Sequence, residues 1–178
     1  MSDLAFVTDG TIAVIGLVAG LIDMGANHCP DRGCLARHEV QPYSSVALGE
    51  TVFQENSIGE EVYFRRDTRH AYGPFQTIYG LSATSDGELW GGIGPAYRMS
   101  IANDSLFVQF HAMAGLYAEG DGVDLGGPIQ FRSGVELGYQ APRGMRVSFG
   151  VDHRSNAGIY STNPGLETWH LRVAIPTK

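Results

Sequence analysis

Three residues near the end of the chain, His153, Ser155 and Glu167, have the side-chain types of a hydrolytic triad. Such a triad needs a nucleophilic hydroxyl, an imidazole that takes its proton and a carboxylate that orients the imidazole. His153 and Ser155 are two residues apart, so on a β-strand they share a face and are separated by about 6.6 Å of strand rise. The same face would carry three large apolar side chains, those of Val147, Phe149 and Val151. The spacing therefore predicts a nucleophile and a base on one apolar surface.

The carboxylate belongs to the next alternating segment of the chain. Glu167 shares a face there with Trp169, Leu171, Val173 and Ile175. The intervening residues 157–165 are rich in turn formers, so the two segments are predicted to form a hairpin. If the hairpin is centred near Tyr160, His153 lies directly opposite Glu167, because each is seven residues from the centre. Directly opposed side chains have Cβ atoms about 4.5–5.5 Å apart, close enough for a carboxylate to hold an imidazole.

These residues resemble a known family. The run His153-Arg154-Ser155-Asn156, followed by Asn163-Pro164-Gly165 and Glu167, is similar to the bacterial outer-membrane lipid A 3-O-deacylases, the PagL family. The similarity is most specific over Phe149 to Ile175, and it extends as a strand pattern back to about Tyr43; residues 1–42 do not take part. The resemblance implies that His153 is the catalytic histidine, Ser155 the nucleophile and Glu167 the acid. Positions near the oxyanion would be Asn156, Gly158 and Asn163.

The resemblance also implies a function. The chain would be a carboxylic ester hydrolase of the bacterial outer membrane that removes the 3-position acyl chain of lipid A in lipopolysaccharide, with no metal or cofactor. Its partners would be this substrate and the surrounding outer-membrane lipids; homodimer formation stays open. Contacts to the phosphates of lipid A would fall to local arginines such as Arg143 or Arg154. A net charge of −7 with no basic stripe argues against nucleic acid as a partner.

The pattern from Tyr43 onward predicts an all-β fold, an eight-stranded antiparallel transmembrane β-barrel. Alternating segments of about nine to eleven spanning residues match the smallest such barrels. The predicted strands are 43–54, 58–66, 74–84, 87–100, 105–118, 128–141, 144–155 and 166–175, separated by turns such as Ala102-Asn103-Asp104. We therefore divide the chain into an irregular N-terminal segment, 1–42, and a barrel domain, 43–178.

Alternation alone does not say which face of a barrel is apolar. A soluble lipocalin-like barrel, which binds an apolar ligand, has an apolar interior, whereas a membrane barrel has a polar one. The polar faces here hold few lysines and many glycines, serines and glutamines, which favours the membrane. Aromatic residues near strand ends are consistent with interfacial girdles: Tyr43, Tyr63, Tyr97, Tyr117, Tyr139 and Trp169. A non-catalytic, porin-like outer-membrane barrel is the other alternative.

The N-terminal segment contains an apolar run, Thr11 to Ile22, that has the length of a signal peptide. No Lys or Arg precedes the run, so an atypical export segment, an extra strand and a short amphipathic helix closing one barrel end are all open, with export favoured. Cys29 and Cys34 are the only cysteines, and in an exported protein this spacing favours a small disulfide loop. The neighbouring His28 and His38 leave a zinc site as the less favoured alternative.

Overall fold

In the computed structural model, which describes residues 10–101 and 105–178, eight long antiparallel strands close into a barrel. The order of hydrogen-bonded neighbours is β3-β2-β9-β8-β7-β6-β5-β4, and a β3–β4 pairing closes the sheet. The short strand β1 is added to the end of β3. The strands are β1 (Arg37–Glu39), β2 (Tyr43–Phe53), β3 (Asn56–Tyr72), β4 (Phe75–Thr84), β5 (Leu89–Ile101), β6 (Leu106–Ala118), β7 (Ile129–Gln140), β8 (Arg146–Ser155) and β9 (Leu166–Pro176).

The barrel has a polar interior and an apolar outer wall. Leu48, Leu137 and Leu171 each expose at least 60% of their surface on the outside, and Phe149 exposes 48%. Charged side chains such as that of Arg132 are fully enclosed. This polarity is opposite to that of a soluble barrel, whose apolar faces would be buried. The structure therefore agrees with the transmembrane prediction and contradicts the lipocalin-like alternative.

Paired charges fill the interior. Arg132 donates hydrogen bonds to both carboxylate oxygens of Glu61, at 2.9 and 2.7 Å, and to Asp152 at 2.7 Å. Glu136 accepts from Arg172 at 3.1 Å and from Ser148 at 2.8 Å. Buried charges are tolerated when they are paired and hydrogen-bonded. The side chains that fill a small barrel therefore form its polar core.

The strand ends agree with the predicted ones to within about two residues, except in β3. This strand was predicted to cover 58–66 but runs from Asn56 to Tyr72, because its last residues pair with β4 and with β1. Strand β1 was not predicted at all. The predicted turn at Ala102-Asn103-Asp104 lies outside the described residues.

The predicted aromatic girdle is partly wrong. Tyr43, Tyr63 and Tyr117 lie inside the barrel and are at most 7% exposed. Each contacts an interior guanidinium group: the nearest arginine carbon is 3.6 Å from the Tyr43 ring centroid and 3.9 Å from that of Tyr63. Cation–π contact in a desolvated interior thus holds rings that sequence reasoning assigned to the membrane interface.

The N-terminal segment forms helices and a disulfide loop. Helix α1 (Thr11–Asp23) continues through a π-helical turn (Met24–His28) into the short helix α2 (Cys29–Arg32). Among the described residues, Thr11–Asp31 is the one helical stretch long and apolar enough to cross a membrane. Cys29 and Cys34 are disulfide-bonded, as predicted, in place of the zinc alternative.

Helix α1 lies along the outer wall of the barrel, over β5, β6 and β7. The interpretations of this segment as an extra strand or as a helix closing the barrel end are therefore wrong. The interpretation as an export segment stays a prediction.

Candidate active site

His153 and Glu167 are directly opposed in strands β8 and β9, as the hairpin argument predicted. Their side chains lie on the outer wall, where Nδ1 of His153 is 3.3 Å from Oε1 of Glu167. The two side chains are 17% and 23% exposed, so the pair is partly screened by its neighbours and still open to the outside. This geometry allows the carboxylate to fix the orientation of the imidazole and to stabilise its protonated form.

Two glycines with positive φ flank the imidazole of His153. A Cβ atom placed on Gly165 (φ 77°) would lie 2.9 Å from Cε1 of the ring. A Cβ atom placed on Gly10 (φ 82°), which precedes helix α1, would lie 3.5 Å from Cδ2 of the ring and 2.5 Å from the Ser133 hydroxyl. Side chains at either position would press on the ring or on its neighbour. Glycine thus allows the backbone to approach His153 from two sides.

Ser155 is the last residue of β8 and lies on the same outer face as His153, in register with Phe131. Within the described part of the chain, its hydroxyl makes no hydrogen bond to His153. The two Cα atoms are separated by about 6.6 Å of strand rise, so the side chains must incline toward each other to reach hydrogen-bonding distance. Long catalytic hydrogen bonds are common in ligand-free sites and shorten when substrate binds.

The loop after Ser155 is held by Asn156 and Asn163. The buried Asn156 amide donates hydrogen bonds to the carbonyls of Leu125 (2.8 Å) and Thr162 (2.6 Å), and its oxygen accepts from the Gly158 amide at 2.9 Å. The backbone amide of Asn156 donates to Oδ1 of Asn163 at 2.9 Å. The side-chain amide of Asn156 and the backbone amide of Gly158 are thus already engaged within the loop, and Asn163 acts there as an acceptor. Their observed role is to fix the loop beside Ser155.

A groove of about 740 Å³ with a mainly apolar lining lies on the outer wall, and its lining begins at Trp169, two residues along β9 from Glu167. Its apolar lining comes from β2, β3, β8 and β9: Leu48, Val62, Phe149, Trp169 and Leu171. The ring centroids of Phe149 and Trp169 are 5.8 Å apart. The polar part of the lining includes Ser57, Glu60 and Glu50, the β2 residue in register with Trp169. Alternation placed Phe149 and Trp169 on the same face as His153 and Glu167, but it did not predict the contribution of β2 and β3. Their proximity to β9 depends on barrel closure, for which the sequence has no local signal.

The arginines proposed to contact substrate phosphates do not lie beside the site. Arg154 points into the barrel, where it donates a hydrogen bond to Glu61 and is 2% exposed. Arg143 lies in the turn before β8, at the other end of the strand from Ser155, and β8 itself is about 30 Å long. The loops beside Ser155 expose carboxylates instead, including those of Glu119 and Asp121. The predicted contact by Arg154 is therefore wrong, and a phosphate contact by the exposed Arg143 stays a prediction.

In residues 10–101 and 105–178, no group of three or more His, Cys, Asp or Glu side chains is arranged to hold a metal ion.

Comparison with known proteins identifies the family. The family described as lipid A 3-O-deacylase (PagL) matches residues 61–176, which is more than half of the chain. The chain belongs to the PagL family. The matched range includes most of β3, all of β4 to β9, and the residues His153, Ser155 and Glu167. Neither helix α1 nor strand β2 belongs to it.

Solved structures agree with the PagL-family fold. The crystal structure of the outer membrane enzyme PagL matches with a TM-score of 0.63 and 21% identity, over 76% of this chain and 99% of that one. A de novo designed transmembrane β-barrel matches with a TM-score of 0.55 and 12% identity, over 79% and 100%. Neisserial surface protein A matches with a TM-score of 0.50 and 11% identity, over 80% and 99%. No curated protein sequence matches the chain. The chain is thus an outer-membrane β-barrel of the PagL family.

Proposed function

We propose that this chain is a serine esterase that removes the 3-position acyl chain of lipid A, with Ser155 as nucleophile, His153 as general base and Glu167 as the orienting acid. The observation that carries the proposal is the 3.3 Å contact between His153 Nδ1 and Glu167 Oε1 on the outer wall. A histidine held by a carboxylate, with a serine on the same face, is the arrangement that activates a hydroxyl. All three residues lie within the range that matches the family.

The reaction follows from the roles of these groups. His153 takes the Ser155 proton through Nε2 while Oγ attacks the ester carbonyl, and Glu167 stabilises the resulting imidazolium. The tetrahedral intermediate collapses as the imidazolium protonates the departing sugar oxygen, which leaves an acyl-serine. Water, deprotonated by His153, then attacks the acyl-serine. The His153 imidazolium returns this proton to Ser155 Oγ as the fatty acid is released. Asn156, Gly158 and Asn163 support the reaction by holding the loop that follows Ser155.

The position of the site on the outer wall suits a substrate that lies within the membrane. An acyl chain attached to lipid A already runs alongside the barrel, so it needs no internal pocket. The apolar groove beside Trp169 offers surface for such a chain, and the barrel interior offers none because charged side chains fill it. The headgroup would then lie at the membrane surface, next to the loop after Ser155.

A non-catalytic barrel is the second candidate, and one observation favours it. The Ser155 hydroxyl is not hydrogen-bonded to His153 in the described part of the chain, so the serine is not yet paired with its base. The two candidates differ in whether Ser155 is a reactive nucleophile. A porin-like channel is less consistent with the structure, because paired buried charges occupy the interior.

A fluorophosphonate carrying an alkyl chain distinguishes the candidates, because it reacts with activated serines. We expect it to label the purified, folded protein at Ser155, as read by peptide mass spectrometry. Labelling should be lost in Ser155→Ala and in His153→Ala, and it should persist in Ser161→Ala, which changes an exposed serine of the same loop. A folded barrel that stays unlabelled would favour the non-catalytic alternative.

A further inference from the structure

Helix α1 is packed on the barrel wall through its smallest residues. Ala13 is fully buried, and Gly16 and Gly20 also face the wall. A Cβ atom placed on Gly16 would lie 2.1 Å from the Phe110 ring, and one placed on Gly20 would lie 2.8 Å from the Tyr97 ring. The helix backbone thus lies directly against outward-facing aromatic rings. A larger side chain at Gly16 or Gly20 would force the helix away from the wall.

The opposite face of α1 is apolar and exposed. Val14, Ile15, Val18, Leu21 and Ile22 each expose 49–68% of their surface. No charged residue occurs between Thr11 and Ile22. A helix that is apolar on all sides is suited to the membrane. The helix lies at the level of the exposed apolar band of the barrel wall, so both elements would be in contact with the same lipid.

The start of α1 covers one side of the catalytic histidine. Gly10 packs against His153 and against Ser133, which is the β7 residue in register with His153. Glu167 lies on the β9 side of the same ring, and Gly165 approaches from the loop. The wall over β7 is therefore screened by the helix. The apolar groove lies on the other side, along β9, β2 and β3.

We propose that α1 remains part of the membrane-embedded protein as a side wall of the active site, and that it directs the substrate acyl chain away from β7 into the groove beside Trp169. This inference rests on the proposed deacylase function. It assigns a positioning role to the N-terminal segment, which lies outside the family match at residues 61–176. The groove would then determine how the acyl chain is placed relative to Ser155.

A cysteine pair tests whether α1 is docked, and it needs no substrate. In full-length protein from outer membranes, the double variant Gly16→Cys/Phe110→Cys should form a disulfide. A Cβ atom on Gly16 would lie 2.1 Å from the Phe110 ring, so the helix and the strand are close enough here for the ~3.8 Å Cβ separation of a disulfide. The matched pair Gly25→Cys/Phe110→Cys should not, because a Cβ at Gly25 meets no neighbour within 4 Å. Equal cross-linking of both pairs, or a mature protein whose intact mass lacks residues 10–23, would overturn the proposal.

A photoreactive lipid A with a diazirine in the 3-position acyl chain tests the direction of the chain. In the Ser155→Ala protein, we expect labelling of peptides from β9 and β2 to exceed that of β7 about tenfold, a preference of ~1.4 kcal/mol. Gly16→Leu should undock the helix, so that the labelling yields of the β9 and β2 peptides and of the β7 peptides come to within about twofold of each other. Gly25→Leu should leave the preference for β9 and β2 unchanged. If Gly16→Leu does not fold, the oxidised Gly16→Cys/Phe110→Cys protein should still show the preference.

Labelling of β7 as strong as that of β9 in the protein with natural α1 would overturn the proposal. Because the serine is absent, labelling does not depend on turnover. A chain that labels as expected but never cleaves lipid A would therefore contradict only the proposed esterase.

Discussion

His153 and Glu167 are directly opposed on the outer wall of the barrel, with Nδ1 of the histidine 3.3 Å from Oε1 of the glutamate. Both side chains are accessible from the membrane side rather than from the barrel interior. Catalysis would therefore take place at the protein–lipid boundary, and the surrounding wall would serve as the binding surface.

Replacing Glu167 by glutamine should remove the charge that stabilises the His153 imidazolium. The amide is nearly isosteric, so the barrel should fold normally. We expect the rate of ester cleavage to fall by about 10²–10⁴-fold, the range expected when the orienting acid of a triad loses its charge. Glu55→Gln, at an exposed turn residue, should retain the natural rate. Full activity of Glu167→Gln would remove this residue from the mechanism.

Gly165→Ala should displace the imidazole, because the new Cβ atom would lie 2.9 Å from His153 Cε1. Small misplacements of a catalytic group cost rates on the order of 10²-fold. Gly87→Ala is the matched control, since Gly87 has a similar φ of 81° but its Cβ would meet no atom within 4 Å. Both variants carry the same backbone strain, so equal loss of activity would show that strain alone, and not contact with His153, is responsible.

Arg132 holds the interior together by pairing with Glu61 and Asp152. Arg132→Met removes the arginine partner of Asp152 and leaves Glu61 paired with Arg154 alone, which should lower the free energy of unfolding by about 3–5 kcal/mol. The measurement is urea unfolding of the barrel in lipid vesicles, followed by tryptophan fluorescence. The exposed Arg143→Met should change stability by no more than about 0.5 kcal/mol. Comparable stability of both variants would contradict the role of the interior network.

Asn156→Ala should loosen the loops at residues 119–128 and 156–165, because its side chain bonds to the carbonyls of Leu125 and Thr162. Leaving the buried Leu125 carbonyl unpaired costs about 1–3 kcal/mol, and the Thr162 carbonyl loses its partner at a more exposed position. Hydrogen exchange should therefore accelerate in both loops, while Asn163→Ala, which removes a single acceptor, should have a smaller effect. An unchanged exchange pattern in Asn156→Ala would show that other contacts fix these loops.

Local periodicity was sufficient to predict the strands and the opposition of His153 and Glu167. Alternation placed Ser155 on the same face, and the turn residues after it fixed the hairpin register. The position of Ser133 beside His153 was predictable in the same way. Strands β7 and β8 form a hairpin centred on Arg143, and both residues are ten positions from that centre.

Contacts between distant parts of the chain could not be predicted in this way. The groove depends on β2 pairing with β9, which follows from barrel closure. The docking of α1 depends on the fit between Gly16 and Phe110, residues far apart in sequence. The interior positions of Tyr43 and Tyr63 depend on arginines from other strands, and no single segment carries that information.

The most direct test of the account is mass spectrometry of lipid A from bacteria that express this chain or its Ser155→Ala variant. We expect the natural chain to remove one acyl group from the 3-position, and Ser155→Ala to leave lipid A intact although it folds in the outer membrane. Ser161→Ala should behave like the natural chain. Lipid A of unchanged mass in the presence of the folded natural barrel would contradict the proposed deacylase, as would full deacylation by Ser155→Ala.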